Sequence, residues 1–174
     1  MWLGQRGGVL ECPRLWLVAL CIAVPTACRS SASSVVISEF VASNTSGLRD
    51  VDGETSDWIE LHNGGTAPAD LEGWCLTDDP QQVESWCFPK VSIPAGGYLL
   101  VFASGKRFSG PDSQLHTSFR LKATKDYLAL VRPGGAVAQE FDPYPDQKEN
   151  MAFGLTPGGT PGFLGEPTPG APNR

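Results

Sequence analysis

Apolar residues in this chain recur at every second position in short runs, and no long stretch keeps the spacing of an amphipathic helix. The pattern is clearest between Ser56 and Asp78. In Asp57-Trp58-Ile59-Glu60-Leu61-His62-Asn63, polar residues alternate with Trp58 and, past Ile59, with Leu61. This predicts a strand with that face in a core and with Glu60 and His62 facing out. Gly64-Gly65, Pro68 and Asp70 suit a turn, and Gly73-Trp74-Cys75-Leu76 resumes the alternation. Further strands are predicted over 35–42, 85–89, 97–104, 117–122, 126–132, 136–141 and 151–154. About eight or nine short strands separated by turn-rich segments have the rhythm of an antiparallel β-sandwich. Trp58, Trp74, Trp86, Tyr98, Phe102 and Phe119 are its expected aromatic core. From Thr156 onward the chain is dense in Pro and Gly, which predicts an extended tail outside any ladder.

The beginning of the chain differs in kind. Arg6 and Arg14 precede the apolar run from Leu15 to Val24, about ten residues, which is too short to span a bilayer and the right length for the core of a secretory signal. Pro25-Thr26-Ala27-Cys28 ends the run and is similar to a lipobox, although Pro25 stands where an aliphatic residue is usual. Ser30-Ser31-Ala32 offers ordinary signal peptidase a site just downstream. Lipidation at Cys28 and simple secretion therefore stand side by side, and both export the product. The expected organisation is a signal peptide over 1–28, a linker over 29–34, a sandwich over 35–155 and the tail over 156–174.

Export changes how the cysteines read. Cys12, Cys21 and Cys28 fall in or at the end of the signal, which leaves Cys75 and Cys87 for the folded part. Alternation points both to the outer side of their strands, and a hairpin turning around Gln81 sets them opposite each other. In an oxidising compartment a cross-strand disulfide is expected ahead of two free surface thiols. Closing a loop of about 11 residues adds about 2–3 kcal/mol.

Charge narrows the partners. Thirteen basic and 19 acidic residues give a net −6 with no long run of either sign, which argues against broad attraction to nucleic acid or anionic lipid. Lys106, Arg107, Arg120, Lys122 and Lys125 form a small basic group, read first as a solvated rim and second as a weak nucleic-acid patch. The alternating carboxylates Asp50, Asp52, Glu54 and Asp57 around Gly53 resemble a calcium loop in outline without its full ligand pattern. A structural turn is the first reading, and calcium is the one cofactor suggested. Asp78-Asp79-Pro80 reads as a turn starter. His62 and His116 are far apart in sequence, and no serine or cysteine beside either is marked as a nucleophile. With no hydrolase elbow, zinc helix or phosphate-cradling loop, no catalytic residue is expected and the protein reads as a non-enzyme.

Several motifs carry a family resemblance. They are Val36 to Asn44, Gly47-Leu48, Asp50-Val51-Asp52-Gly53, Ser56 to Asn63, Leu71 to Asp79, Trp86 with Phe88-Pro89, Tyr98 to Lys106, Leu115-His116-Thr117 with Phe119, and Thr168-Pro169-Gly170-Ala171-Pro172-Asn173. In this order they resemble the bacterial form of the lamin tail domain from about residue 35 to 173. The resemblance implies an immunoglobulin-like β-sandwich. It also implies a module of exported or surface proteins, often found beside secreted nuclease or spore-coat-kinase-like domains, whereas this chain ends straight after the module. The expectation is a non-catalytic exported module that binds or tethers at the bacterial cell surface, through an extracellular protein or polymer, with membrane contact only through lipid at Cys28. The alternatives are an accessory domain or N-terminal fragment of a secreted enzyme, and a weak nucleic-acid binder.

Overall fold

In the computed structural model, residues 35–106 and 114–174 are described; the signal segment with Cys28, the linker and Arg107 lie outside them. The described residues contain strands and turns and no helix. The strands are β1 (Val35–Val41), β2 (Asp57–Asn63), β3 (Ala69–Asp70), β4 (Cys75–Thr77), β5 (Trp86–Cys87) and β6 (Ser92–Ile93), followed by β7 (Tyr98–Ala103), β8 (Leu115–His116), β9 (Asp126–Val131), β10 (Val137–Tyr144), β11 (Phe153–Leu155) and β12 (Pro161–Phe163). They form a six-stranded sheet in the order β12-β11-β1-β2-β7-β8, a four-stranded sheet β10-β9-β4-β5, and a small β3-β6 pair. Neighbours are antiparallel except β7 and β8, which run parallel. Ile37, Phe40, Ile59, Leu61 and Val101 from the larger sheet meet Leu76, Trp86, Leu128, Leu130 and Phe141 from the smaller one in a single buried cluster. This is the expected immunoglobulin-like sandwich.

In β2 the structure keeps Leu61 in the core with Glu60 and His62 on the other face, as expected, but moves Trp58 to that other face. Ile59 pairs with Phe40 and Leu61 with Ile37, and all four lie in the core between the sheets. Successive side chains alternate, so Trp58, Glu60 and His62 lie on the opposite face. That face is covered as well. Trp58 packs with Val41, Phe102, Ala152 and Leu164 in a second apolar cluster, and Glu60, expected to face out, is 1% exposed. The cover is supplied by the C-terminal segment. The tail was expected to stay outside any ladder, yet Pro161–Phe163 pairs antiparallel with β11 and Leu164 is buried. A three-residue edge strand tolerates Pro because one side of its backbone needs no ladder partner.

Other expectations shift for local reasons. The strand expected over 117–122 is not formed: the Thr117 hydroxyl donates to the Phe119 carbonyl at 2.6 Å, and only Arg120 bridges to Ser104. Tyr98 and Phe119, expected in the core, are half-buried. In β1 the register slips between Ile37 and Glu39, a bulge opposite Gly154. There a Cβ on residue 154 would overlap the Ser38 carbonyl oxygen and the Glu39 Cα, so the close approach of β11 requires glycine.

Candidate functional site

The acidic turn after β1 closes on itself. Gly53 takes φ +80°, its amide donates to the Asp50 carbonyl at 2.9 Å, and the Asp50 amide donates to the Glu54 carbonyl at 2.9 Å. Asp50 sits at the centre. Its Oδ1 accepts the amides of Asp52 at 3.0 Å and Glu54 at 2.9 Å, and its Oδ2 accepts the Ser56 hydroxyl at 3.3 Å. The chain then supplies its own cation. Lys106, just past β7, places Nζ 2.7 Å from Asp50, 2.6 Å from Asp52 and 3.0 Å from Glu54.

The electrostatics follow from this geometry. Burial pushes the Asp50 carboxyl up, but the Lys106 ammonium and the Glu54 and Asp52 amides outweigh it and hold it below the usual carboxylate range. Lys106 is raised, first by Asp50 and then by Asp52 and Glu54. Because the folded-state value of Asp50 is lowered, its contribution to stability is complete above the ordinary carboxylate value and is lost as pH falls through the lowered one. The side chain of Asp50 is fully buried, whereas those of Asp52 and Glu54 are 62% exposed. Asp50→Asn is therefore expected to cost roughly 1–3 kcal/mol in urea unfolding at pH 7. Asp52→Asn and Glu54→Gln should each cost about 0.5 kcal/mol or less. Equal losses at all three positions would contradict the central role of Asp50.

Asp57 does not join the other three carboxylates. Its Oδ1 accepts the Asn44 amide at 3.0 Å, and burial raises its carboxyl against the pull of that amide and of Arg120. Among the described residues no group of three or more His, Cys, Asp or Glu side chains is arranged to hold a metal ion. Asp57 lies in a cleft of about 470 Å³ that also takes in Arg49, Ser56, Ser104 and Arg120. Arg49 and Arg120 are exposed, and Arg49 donates to the Gly53 carbonyl at 2.6 Å.

The basic group is divided by pairing. Lys106 is held by the acidic turn, Lys122 pairs with Asp126 at 2.7 Å, and Arg120 faces the cleft. Asp79 caps its turn, accepting the Gln81 amide at 2.8 Å. The histidines, on β2 and β8, lie beside the two ends of β7. His62 stacks on Tyr98 with ring centroids 4.5 Å apart, and His116 stacks on Phe102 at 5.4 Å. The four-residue step between those aromatics corresponds to about 13 Å. The sequence did not reveal that His116 Nδ1 lies 2.9 Å from the Ser104 hydroxyl. Both residues are at most 3% exposed, and that hydroxyl also accepts the Lys106 amide at 3.2 Å. Burial, then Lys106, lowers the His116 value and favours the neutral ring. This pair anchors β7 to β8 and the Lys106 backbone.

Cys75 and Cys87 are disulfide-bonded across the β4–β5 hairpin, directly opposite each other in register. Cys87 is exposed as expected, whereas Cys75 is 2% exposed, under a small cluster with Tyr127, Ala129 and Val131. The sequence reading also missed a second constellation, because it placed Glu60 facing out and did not single out Glu39. Glu39 and Glu60 are cross-strand partners on the outer face of β1 and β2, beneath residues 164–174.

The protein-family comparison returns the family described as Lamin Tail Domain, matching residues 29–144. No curated protein matches the chain.

Proposed function

Because the chain belongs to the lamin tail domain family, whose members are non-enzymatic immunoglobulin-like modules, we propose that it acts as a non-catalytic exported module that binds or tethers at the cell surface. The observation that carries this reading is the cleft beside the acidic turn. There the exposed guanidinium groups of Arg49 and Arg120 flank Ser56 and Asp57 on a scaffold fixed by the Lys106 cluster. Guanidinium groups pair with carboxylates in bidentate geometry, so a carboxylate-bearing extracellular protein or polymer suits this cleft. The Cys75–Cys87 disulfide supports an oxidising compartment.

The test is co-sedimentation of residues 33–174 with the producing organism's cell-envelope fraction, in calcium and in chelator. Binding that falls at least tenfold in the Arg49→Ala/Arg120→Ala double variant is the expected result. Binding that needs calcium would assign a ligand role to the acidic turn. No binding in either buffer would instead favour an accessory module that positions a separate catalytic domain of a secreted enzyme. Retention on DNA that falls steeply with salt would favour the nucleic-acid reading.

A further inference from the structure

Past Leu164 the C-terminal segment is attached to the sandwich mainly by polar contacts, several of them to two buried carboxylates. Glu39 and Glu60 face each other across β1 and β2 and are 0% and 1% exposed. Glu39 Oε1 accepts the Thr168 amide at 2.7 Å and the Thr168 hydroxyl at 3.3 Å. Glu60 Oε2 accepts the Gly170 amide, and Oε1 accepts the Ser38 hydroxyl at 2.7 Å. Three residues on, Asn173 Nδ2 donates to the carbonyls of Ser38 at 2.9 Å and Leu155 at 2.7 Å. Glu39 Oε2 is buried with no hydrogen-bond partner.

Cavities flank the segment on both sides. One of about 340 Å³ takes in Val41, Trp58 and Pro169, and one of about 280 Å³ takes in His62, Tyr98 and Pro172. Beyond Leu164 no residue of the segment is fully buried, so apolar packing holds this stretch weakly.

We propose that residues 165–174 form a proton-sensitive strap, held against the outer face of β1 and β2 while the Glu39–Glu60 pair carries a proton and loosened when both carboxylates are ionised. Two carboxylates side by side in a site cut off from water cannot both carry charge cheaply. Glu39 is pushed up to about 7, by burial above all, against the Thr168 amide and with a further push from Glu60. Burial also raises Glu60, against the Gly170 amide and the Ser38 hydroxyl. Tyr98 on β7 is raised by burial and then by the Glu60 and Glu39 charges.

The other ionisable groups nearby are His62 on β2, Glu166 and Arg174 on the strap itself, and Lys148, whose Nζ lies over Phe163 of β12. Among the described residues no ion pair reaches Glu39 or Glu60. Opening the strap admits water, which stabilises the second charge. A carboxyl raised in the closed form favours closure fully below its ordinary value. That advantage is lost as pH rises from there through about 7 and stays lost above it.

The experiment is hydrogen exchange of the Thr168 and Gly170 amides in the full chain by NMR, corrected for intrinsic rates, from pH 5 to 8.5. Protection is expected to fall by at least tenfold between pH 5 and 7, up to about tenfold per pH unit, and to level off above pH 7.5. The Leu128 amide in the core of β9 serves as the internal reference and should keep its protection. Glu39→Gln should flatten the profile. Asn173→Ala, which leaves both carboxylates in place, should lower protection by the same factor at every pH and keep the slope. If Glu39→Gln does not fold, the ¹³C shift of the Glu39 carboxyl in the unaltered chain is followed instead, and a midpoint near 7 is expected. A midpoint in the ordinary carboxylate range, or protection of the two amides that does not change with pH, would overturn the proposal.

Discussion

Replacing Trp58 by Ala is expected to cost about 3–5 kcal/mol, the loss that follows removal of a fully buried large aromatic side chain. Trp58 is 1% exposed, although it lies on the face of β2 that points away from the space between the sheets. Its neighbours come from three parts of the chain: Val41 on β1, Phe102 on β7, and Ala152 and Leu164 on either side of β11 and β12. The cavity would therefore open between the sheet and the C-terminal segment, and the neighbours cannot collapse into it without moving β12. Urea unfolding measures the loss. Hydrogen exchange should show the Leu164 amide, which donates to the Ala152 carbonyl at 2.9 Å, losing protection before the strands of the smaller sheet. A loss under 1 kcal/mol would show that the second cluster contributes little and that the C-terminal segment merely lies against the domain.

That expectation depends on a parity the sequence does not settle. In β2 the alternation is visible, but Trp58 and Ile59 are adjacent apolar residues on opposite faces, and either could start the core face. Ile59 does, because its partner Phe40 is already committed to the core by edge-on and tilted packing against Phe141 and Tyr144. Glu60 was read as solvent-facing, and its partner Glu39 passed unnoticed, for a related reason. Alternation tells which residues share a face, and it is silent on what a distant segment lays over that face. The covering residues are 129 and 110 positions away in sequence.

The acidic turn shows the same division between local and distant information. Asp50 and Gly53 make a turn that local chemistry announces, with a side chain accepting nearby amides and a glycine at positive φ. The partner of that turn is Lys106, 56 residues further on, and it was read as part of a basic rim or a weak nucleic-acid patch. The pairing of β4 with β5 and of their cysteines was legible, because the connection between the two strands fixes their register. The burial of Cys75 was not legible, since Tyr127, Ala129 and Val131 reach it from β9, and no local signal joins β9 to β4.

That hairpin carries the second large expected effect. Breaking the Cys75–Cys87 bond should lower stability by about 2–3 kcal/mol, which follows from releasing a loop of this length in the unfolded chain. The folded state has its own reason to suffer. β5 is two residues long, lies at the edge of its sheet and pairs only with β4, so the disulfide joins it to the domain at one of its two ladder positions. Its other residue, Trp86, contributes to the main core and packs edge-on against Phe88 at 4.8 Å. Without the covalent tie, β5 can fray and Trp86 can leave with it. Serine at position 75 adds a hydroxyl beside Tyr127, Ala129 and Val131, so Cys75→Ala with Cys87→Ala separates loss of the bond from burial of a polar group. Relative to the oxidised protein, the reduced protein and the alanine pair should both lose about 2–3 kcal/mol in urea unfolding, with the Cys75→Ser/Cys87→Ser pair losing more. If reduction leaves the midpoint unchanged, contacts within β4, β5 and β9 hold the hairpin by themselves. The disulfide would then say little about the compartment in which the domain works.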